Sequence, residues 1–236
     1  MTDLLYLRDA YLQSFPATVL DVRESQVAFD STAFYPTGGG QPNDTGVITW
    51  TDGSAVVTDV RKEGETVWHT ILGVVPPIGT PVEATIDWDR RHRLMRTHTV
   101  MHVLCGVIWN RWGVSVTGGN MEPLSARMDF EFDPMPEGFG PEIEALVNAE
   151  IAADRPIEVS FLPYAAAQAD ADLIRTKVNM IPAHVSEIRV VDIVGLDKQA
   201  DGGTHVARTG EIGAFKVIKT ESKGKGNKRL RIEVND

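Results

Sequence analysis

The hydrophobic pattern of this chain changes period near Asp89, and that change limits what the chain can fold into. Up to about residue 88, apolar and polar residues alternate in short runs, as half-buried strands require. Ala17–Asp30, Val47–Trp50, Ala55–Val60, Thr66–Leu72 and Val82–Trp88 are the strand candidates. Asp52-Gly53 within Thr51–Ser54 reads as a hairpin turn. Many short strands with frequent turns predict a small β-barrel over residues 1–89. After Asp89 the spacing becomes helical. Arg91–Trp112 contains no proline, and Leu94, His98, Met101, His102, Cys105, Ile108 and Trp109 recur at three- and four-residue steps. Glu142–Ala153 and Tyr164–Val178 are further helix candidates. Ala126–Phe132, Ile157–Leu162, Ile188–Val194, Ile212–Lys219 and Leu230–Val234 read as strands. Strands and helices without strict βαβ alternation predict an α+β domain over residues 90–236.

With 236 residues the chain can bury a core without staples, and its lone Cys105 forms no intrachain disulfide, which suits a reducing cytoplasm. The N-terminus has no basic region before its apolar run, so no signal peptide is expected. No apolar stretch reaches the roughly 18 residues that a membrane helix needs. The net charge of −10 argues against indiscriminate nucleic-acid binding. The charge is unevenly spread, however. Lys216, Lys219, Lys223, Lys225, Lys228, Arg229 and Arg231 face one acid, Glu221, and Arg90, Arg91, Arg93 and Arg96 form a second basic group. Each group is either a solvated surface or a local contact for a polyanion. Lys223–Lys228 reads as a hairpin tip.

Two short segments carry metal-binding chemistry. His98 and His102 are four residues apart on the predicted helix, which puts both imidazoles on one face, one turn apart. Zinc proteases share this spacing, but they need a glutamate directly after the first histidine, and Thr99 stands there. Asp201-Gly202-Gly203-Thr204-His205 supplies another carboxylate and imidazole, with the glycines favouring a turn over a helix. His98, His102, Asp201 and His205 together make a plausible tetrahedral zinc set, closed by four protein ligands or left open to water. The plainer alternatives are two histidines satisfied on a helix surface and a glycine turn closed by an Asx-type hydrogen bond. His69, His92 and His184 read as structural or surface residues.

The two segments, in this order and separation, resemble the editing domain of alanyl-tRNA synthetases and its free-standing relatives, the AlaX proteins. That family pairs a His-x-x-x-His helix with a later Cys-x-x-x-His in a Gly-Gly-Thr-His context. His98, His102 and His205 match, and Asp201 stands where the pattern has cysteine. Phe34–Gly46, with Gly38, Gly39, Gly40 and Gln41, resembles the glycine-rich motif of the family's barrel. Thr117–Asn120 with Arg127–Phe130 resembles strands lining the editing pocket. Ile188–Val191 and Thr209–Gly213 match the flanks of the second zinc motif. The likeness covers roughly residues 15–220.

This resemblance implies a deacylase that removes serine, with glycine as a second candidate, from mischarged alanine tRNA. It implies one Zn2+ per chain on His98, His102, Asp201 and His205, and no ATP or other nucleotide cofactor. Candidate catalytic residues are Thr117, Asn120 and Asp201; candidate substrate-binding residues are Gly38, Gly39, Gly40, Gln41 and Thr117. An apolar pocket cannot strongly reject an analogue that merely adds a hydroxyl, so a second site with a partner for that hydroxyl is needed, and Thr117 is the candidate. The alternatives are a zinc hydrolase of another small ester or amide, and a non-catalytic RNA-binding module with structural zinc.

Overall fold

The computed structural model describes residues 2–169, 173, 186–222, 224 and 226–235. The part of the predicted Tyr164–Val178 helix beyond residue 169, His184, Lys223 and Lys225 lie outside the described residues, residue 173 apart. The chain divides into two compact units, Met1–Arg93 and Leu94–Asp236.

In the first unit, β2 (Ser14–Arg23), β3 (Gln26–Phe29), β5 (Gly46–Trp50), β6 (Gly53–Glu63), β7 (Thr66–Gly73) and β8 (Pro81–Ile86) close a six-stranded barrel in the order β2-β3-β7-β6-β5-β8. A short parallel ladder, β1 (Asp3–Leu4) with β4 (Ser31–Thr32), accompanies it. The barrel is what the alternation predicts. In β8, Val82, Ala84 and Ile86 point inward while Pro81, Glu83 and Thr85 face out. Phe15, Phe29, Phe34, Ile48, Val57 and Val60 help fill the interior.

Three local readings change. The Ala17–Asp30 run is a hairpin and not one strand, because the chain turns at Glu24, whose φ is +52°. Gly53 is not a turn residue. It pairs with Trp50, and a Cβ there would lie 2.7 Å from Trp50 Cζ2, so the missing side chain makes room for the indole. Trp88 does not end a strand; it opens the long helix, whose first turn is capped by Asp87 Oδ1 accepting from Arg90 N at 3.2 Å.

His69 lies in the barrel core with no exposed surface. Its Nδ1 donates to Val27 O at 3.2 Å and its Nε2 accepts from Thr32 Oγ1 at 2.9 Å. Burial pushes its pKa from 6.5 down to about 4, against the pull of the Val27 carbonyl. The unfolded chain therefore takes up a proton below pH 6.5 that the folded chain refuses. Stability is full above 6.5 and falls as the pH drops toward about 4, by roughly 3 kcal/mol for this one group. An NMR titration should give a His69 midpoint near 4; a midpoint near 6.5 would mean that the ring is solvated.

The second unit is built on α1 (Trp88–Trp112), which begins in the first. Every residue from Leu94 to Ile108 is buried, so this stretch is enclosed on all sides and has no polar face. Around it lie an antiparallel sheet β14-β15-β10-β9 and a three-stranded sheet β11-β12-β13. The first comprises β9 (Val116–Glu122), β10 (Ser125–Phe130), β14 (Ala214–Ser222) and β15 (Lys228–Asn235). The second comprises β11 (Ile157–Pro163), β12 (Glu187–Ile193) and β13 (Asp197–Ala200). Helices α2 (Phe139–Ala152) and α3 (Tyr164–Ala169) also belong to it. Two glycines set how closely strands and turns approach α1. A Cβ on Gly119 would meet Met101 Cε at 3.1 Å, and one on Gly106 would meet Asp197 Cβ at 2.7 Å.

Candidate metal centre

A helix buried on every side must satisfy its polar side chains internally. Arg96 donates to Ile212 O at 2.7 Å and to Asn235 O at 3.0 Å, and Thr97 Oγ1 accepts from Leu124 N at 2.8 Å. The remaining polar groups, His98, Thr99 and His102, turn toward the loop that follows β13, which carries Asp201 and His205.

One ligand atom from each of His98, His102, Asp201 and His205 lies within 4.8 Å of the others, so these residues form a cluster that could hold a metal ion. The three Nε2 atoms converge on one carboxylate. His205 Nε2 lies 3.0 Å from Asp201 Oδ2; His98 Nε2 and His102 Nε2 lie 3.6 and 4.0 Å from Oδ1. Asp201 is held from behind. Its Oδ2 accepts from Gly203 N at 2.6 Å, and its carbonyl accepts from Arg189 at 2.9 Å. The glycine pair allows this tight turn.

Electrostatics prepare the donors for a cation. Burial first, then the neighbouring imidazoles and Arg189, push His98 well below its ordinary pKa despite the pull of Asp201. Burial likewise lowers His205 to about 4. At Asp201 burial acts upward, but the surrounding histidines outweigh it and hold the carboxyl well below the usual range. Near neutrality His98 and His205 are neutral and Asp201 is ionised, the protonation states in which these groups ligate. Three imidazoles and a carboxylate suit a borderline cation such as zinc.

His102 Nδ1 is buried with no hydrogen-bond partner among the described residues, and Asp197 Oδ2 stands 3.9 Å away. Asp197 in turn accepts from Gln199 Nε2 at 2.5 Å. Asp197, Arg189 and Thr99 are the site neighbours that the sequence reading passed over. A charged residue inside the apolar run Ile188–Val191 was the one available signal for Arg189.

Thr117 is exposed on β9 and its hydroxyl donates to Asn227 Oδ1 at 3.2 Å. Asn120 is exposed further along the same strand, opposite Arg127. Gly38, Gly39, Gly40 and Gln41 belong to the first unit. Gly38 and Gln41 exchange backbone hydrogen bonds of 3.1 and 2.9 Å around Gly39 and Gly40, whose φ values are +58° and +87°. The Gln41 side chain is buried.

Half of the basic group before the histidines is not a surface patch. Arg91 and Arg96 are buried and bonded internally, which removes them as phosphate contacts. On the β14–β15 hairpin, Lys219 and Arg231 both reach Glu221, at 2.9 and 3.2 Å, and Lys216 is exposed.

Comparison with known sequences adds a second line of observation. Residues 188–231 match the family described as the second additional domain of threonyl and alanyl tRNA synthetases, and residues 6–90 match class II (A) tRNA synthetases. The chain is 37% identical to the alanyl-tRNA editing protein AlaX-M of Saccharolobus solfataricus, over 98% of each chain. It is 36% identical to AlaX-M of Methanosarcina barkeri over the full length of both. It is also 40% identical to the alanine–tRNA ligase of Pyrobaculum arsenaticum, over 92% of this chain and 25% of the ligase.

Proposed function

This chain belongs to the AlaX-M family of alanyl-tRNA editing proteins, and we propose that it acts as a free-standing zinc-dependent deacylase of mischarged alanine tRNA. The observation that carries this reading is the buried convergence of His98, His102, Asp201 and His205 in a member of that family. The substrate is an aminoacyl ester on the terminal ribose, with serine the first candidate and glycine the second. His98, His102, Asp201 and His205 would hold the zinc ion, which would supply a Lewis acid to activate a water or to position the ester.

The protein's own groups do the rest. Asp201, ionised and fixed by Gly203 N, provides the negative charge that balances the cation, either directly or through a water. Thr117 offers a hydroxyl to the serine side chain, and Asn120 is the second polar group assigned to the substrate. The Gly38–Gln41 loop closes over the terminal nucleotide or the amino acid, presenting the Gly39 and Gly40 N–H groups. Exposed lysines of the β14–β15 hairpin meet tRNA phosphates, so affinity falls with salt. In this reading residues 90–236 are the editing domain and residues 1–89 the barrel domain. A tRNA substrate puts this work in the cytoplasm; among the described residues no helix is long and apolar enough to cross a membrane.

The test is release of amino acid from seryl-, glycyl- and alanyl-tRNA, all on alanine tRNA, by the zinc-loaded protein. Serine should be lost with alanine retained. No loss from any of the three, with zinc confirmed bound, would overturn the reading in favour of another ester or an RNA-binding role.

A further inference from the structure

We propose that Thr99 is a positioning residue of the metal centre: its hydroxyl fixes which ring nitrogen of His205 carries the proton, and so aims Nε2 at the ion. The inference rests on the metal-dependent reading above. Thr99 occupies the place where zinc proteases carry their general base. Here the side chain is wholly buried and makes three polar contacts inside the protein. Its Oγ1 lies 2.8 Å from Met95 O, 3.1 Å from Val206 N and 3.2 Å from His205 Nδ1.

A hydroxyl has one proton to give. Met95 O can only accept, and its contact is the shortest of the three, so the proton goes there. Val206 N can only donate, so Oγ1 accepts from it. The contact with His205 is then a hydrogen bond only if Nδ1 carries the ring hydrogen. A neutral imidazole has a single N–H, which leaves a lone pair on Nε2. That lone pair faces an Asp201 oxygen 3.0 Å away. Two acceptors at this distance repel, and a cation between them turns the repulsion into coordination. Without the Thr99 oxygen the hydrogen moves to Nε2, where Asp201 accepts it. A metal ion must then displace that proton before it can bind.

Partners of this kind typically change metal affinity by 10- to 100-fold. The measurement is competition for zinc between a chromophoric chelator and the metal-free full chain, for the unaltered protein, T99S and T99V. T99S keeps the oxygen and should bind within about threefold of the unaltered chain; T99V should bind about 10- to 100-fold more weakly. Circular dichroism of metal-free T99V separates weakened binding from a lost fold. If T99V does not fold, nitrogen NMR of the zinc-loaded unaltered chain decides, with Nδ1 of His205 expected to be protonated and Nε2 metal-bound. Equal affinity in T99V and the unaltered chain, or zinc on Nδ1, would overturn the inference alone. Failure of the unaltered chain to bind zinc would overturn the metal-dependent reading and this inference with it.

Discussion

His102→Ala should abolish deacylation while leaving the metal-free protein folded. His102 is one of four donors, and structural zinc sites bind with about 10–16 kcal/mol, so each ligand accounts for roughly 3 kcal/mol, or at least a hundredfold in affinity. The cost to the apoprotein is much smaller. In the metal-free chain His102 Nδ1 is a buried polar atom without a partner among the described residues, so truncation removes an unsatisfied group along with its packing. These opposing terms should keep the metal-free stability within about 2 kcal/mol of the parent. Two measurements check this: thermal melts with and without zinc, and seryl-tRNA turnover at a zinc concentration that saturates the parent. The zinc-induced rise in melting temperature should vanish together with turnover. If H102A keeps both, His102 is not a ligand.

The parts of this fold that the sequence announced are those whose burial is apolar and periodic. The barrel strands alternate because one face of each packs on Phe15, Phe29 and their neighbours. β13 was invisible for the opposite reason. Its inward residues are Asp197, beside His102, and Gln199, which donates to Asp197, so the usual sign of a strand is inverted. The long helix was legible in extent but not in setting. A run enclosed on all sides has no hydrophobic stripe; its arginine and threonines break the pattern because they are bonded internally, and its histidines because they face Asp201. The four metal donors were legible because spacing on a helix and a glycine turn are local facts. Thr99, Asp197 and Arg189 act through contacts separated by 106, about 95 and 12 residues; beyond the charge of Arg189 in an apolar run, no local pattern marks such partners.

Asp44→Ala should destabilise the protein by about 3–5 kcal/mol, the usual cost of stranding one half of a buried ion pair. Asp44 and Arg91 have no exposed side-chain surface and pair with each other. Arg91 Nε lies 3.0 Å from both carboxylate oxygens; its other nitrogens donate to Ala10 O at 2.9 Å and Ala33 O at 2.5 Å. Asp44 Oδ2 also accepts from Tyr35 N at 2.6 Å. The pair thus ties the first turns of α1 to the end of the glycine-rich segment, and removing the carboxylate leaves a guanidinium with two carbonyls and no counter-charge. Urea unfolding of D44A, R91M and the double variant separates pairing from packing. If a stranded charge is the main cost, the double variant should lose less than the sum of the two single losses, because it buries no unpaired ion. Additive losses would mean that each side chain acts through its own backbone contacts. A D44A loss under about 1 kcal/mol would mean that water reaches Arg91, since only a solvated guanidinium tolerates the loss of its partner so cheaply.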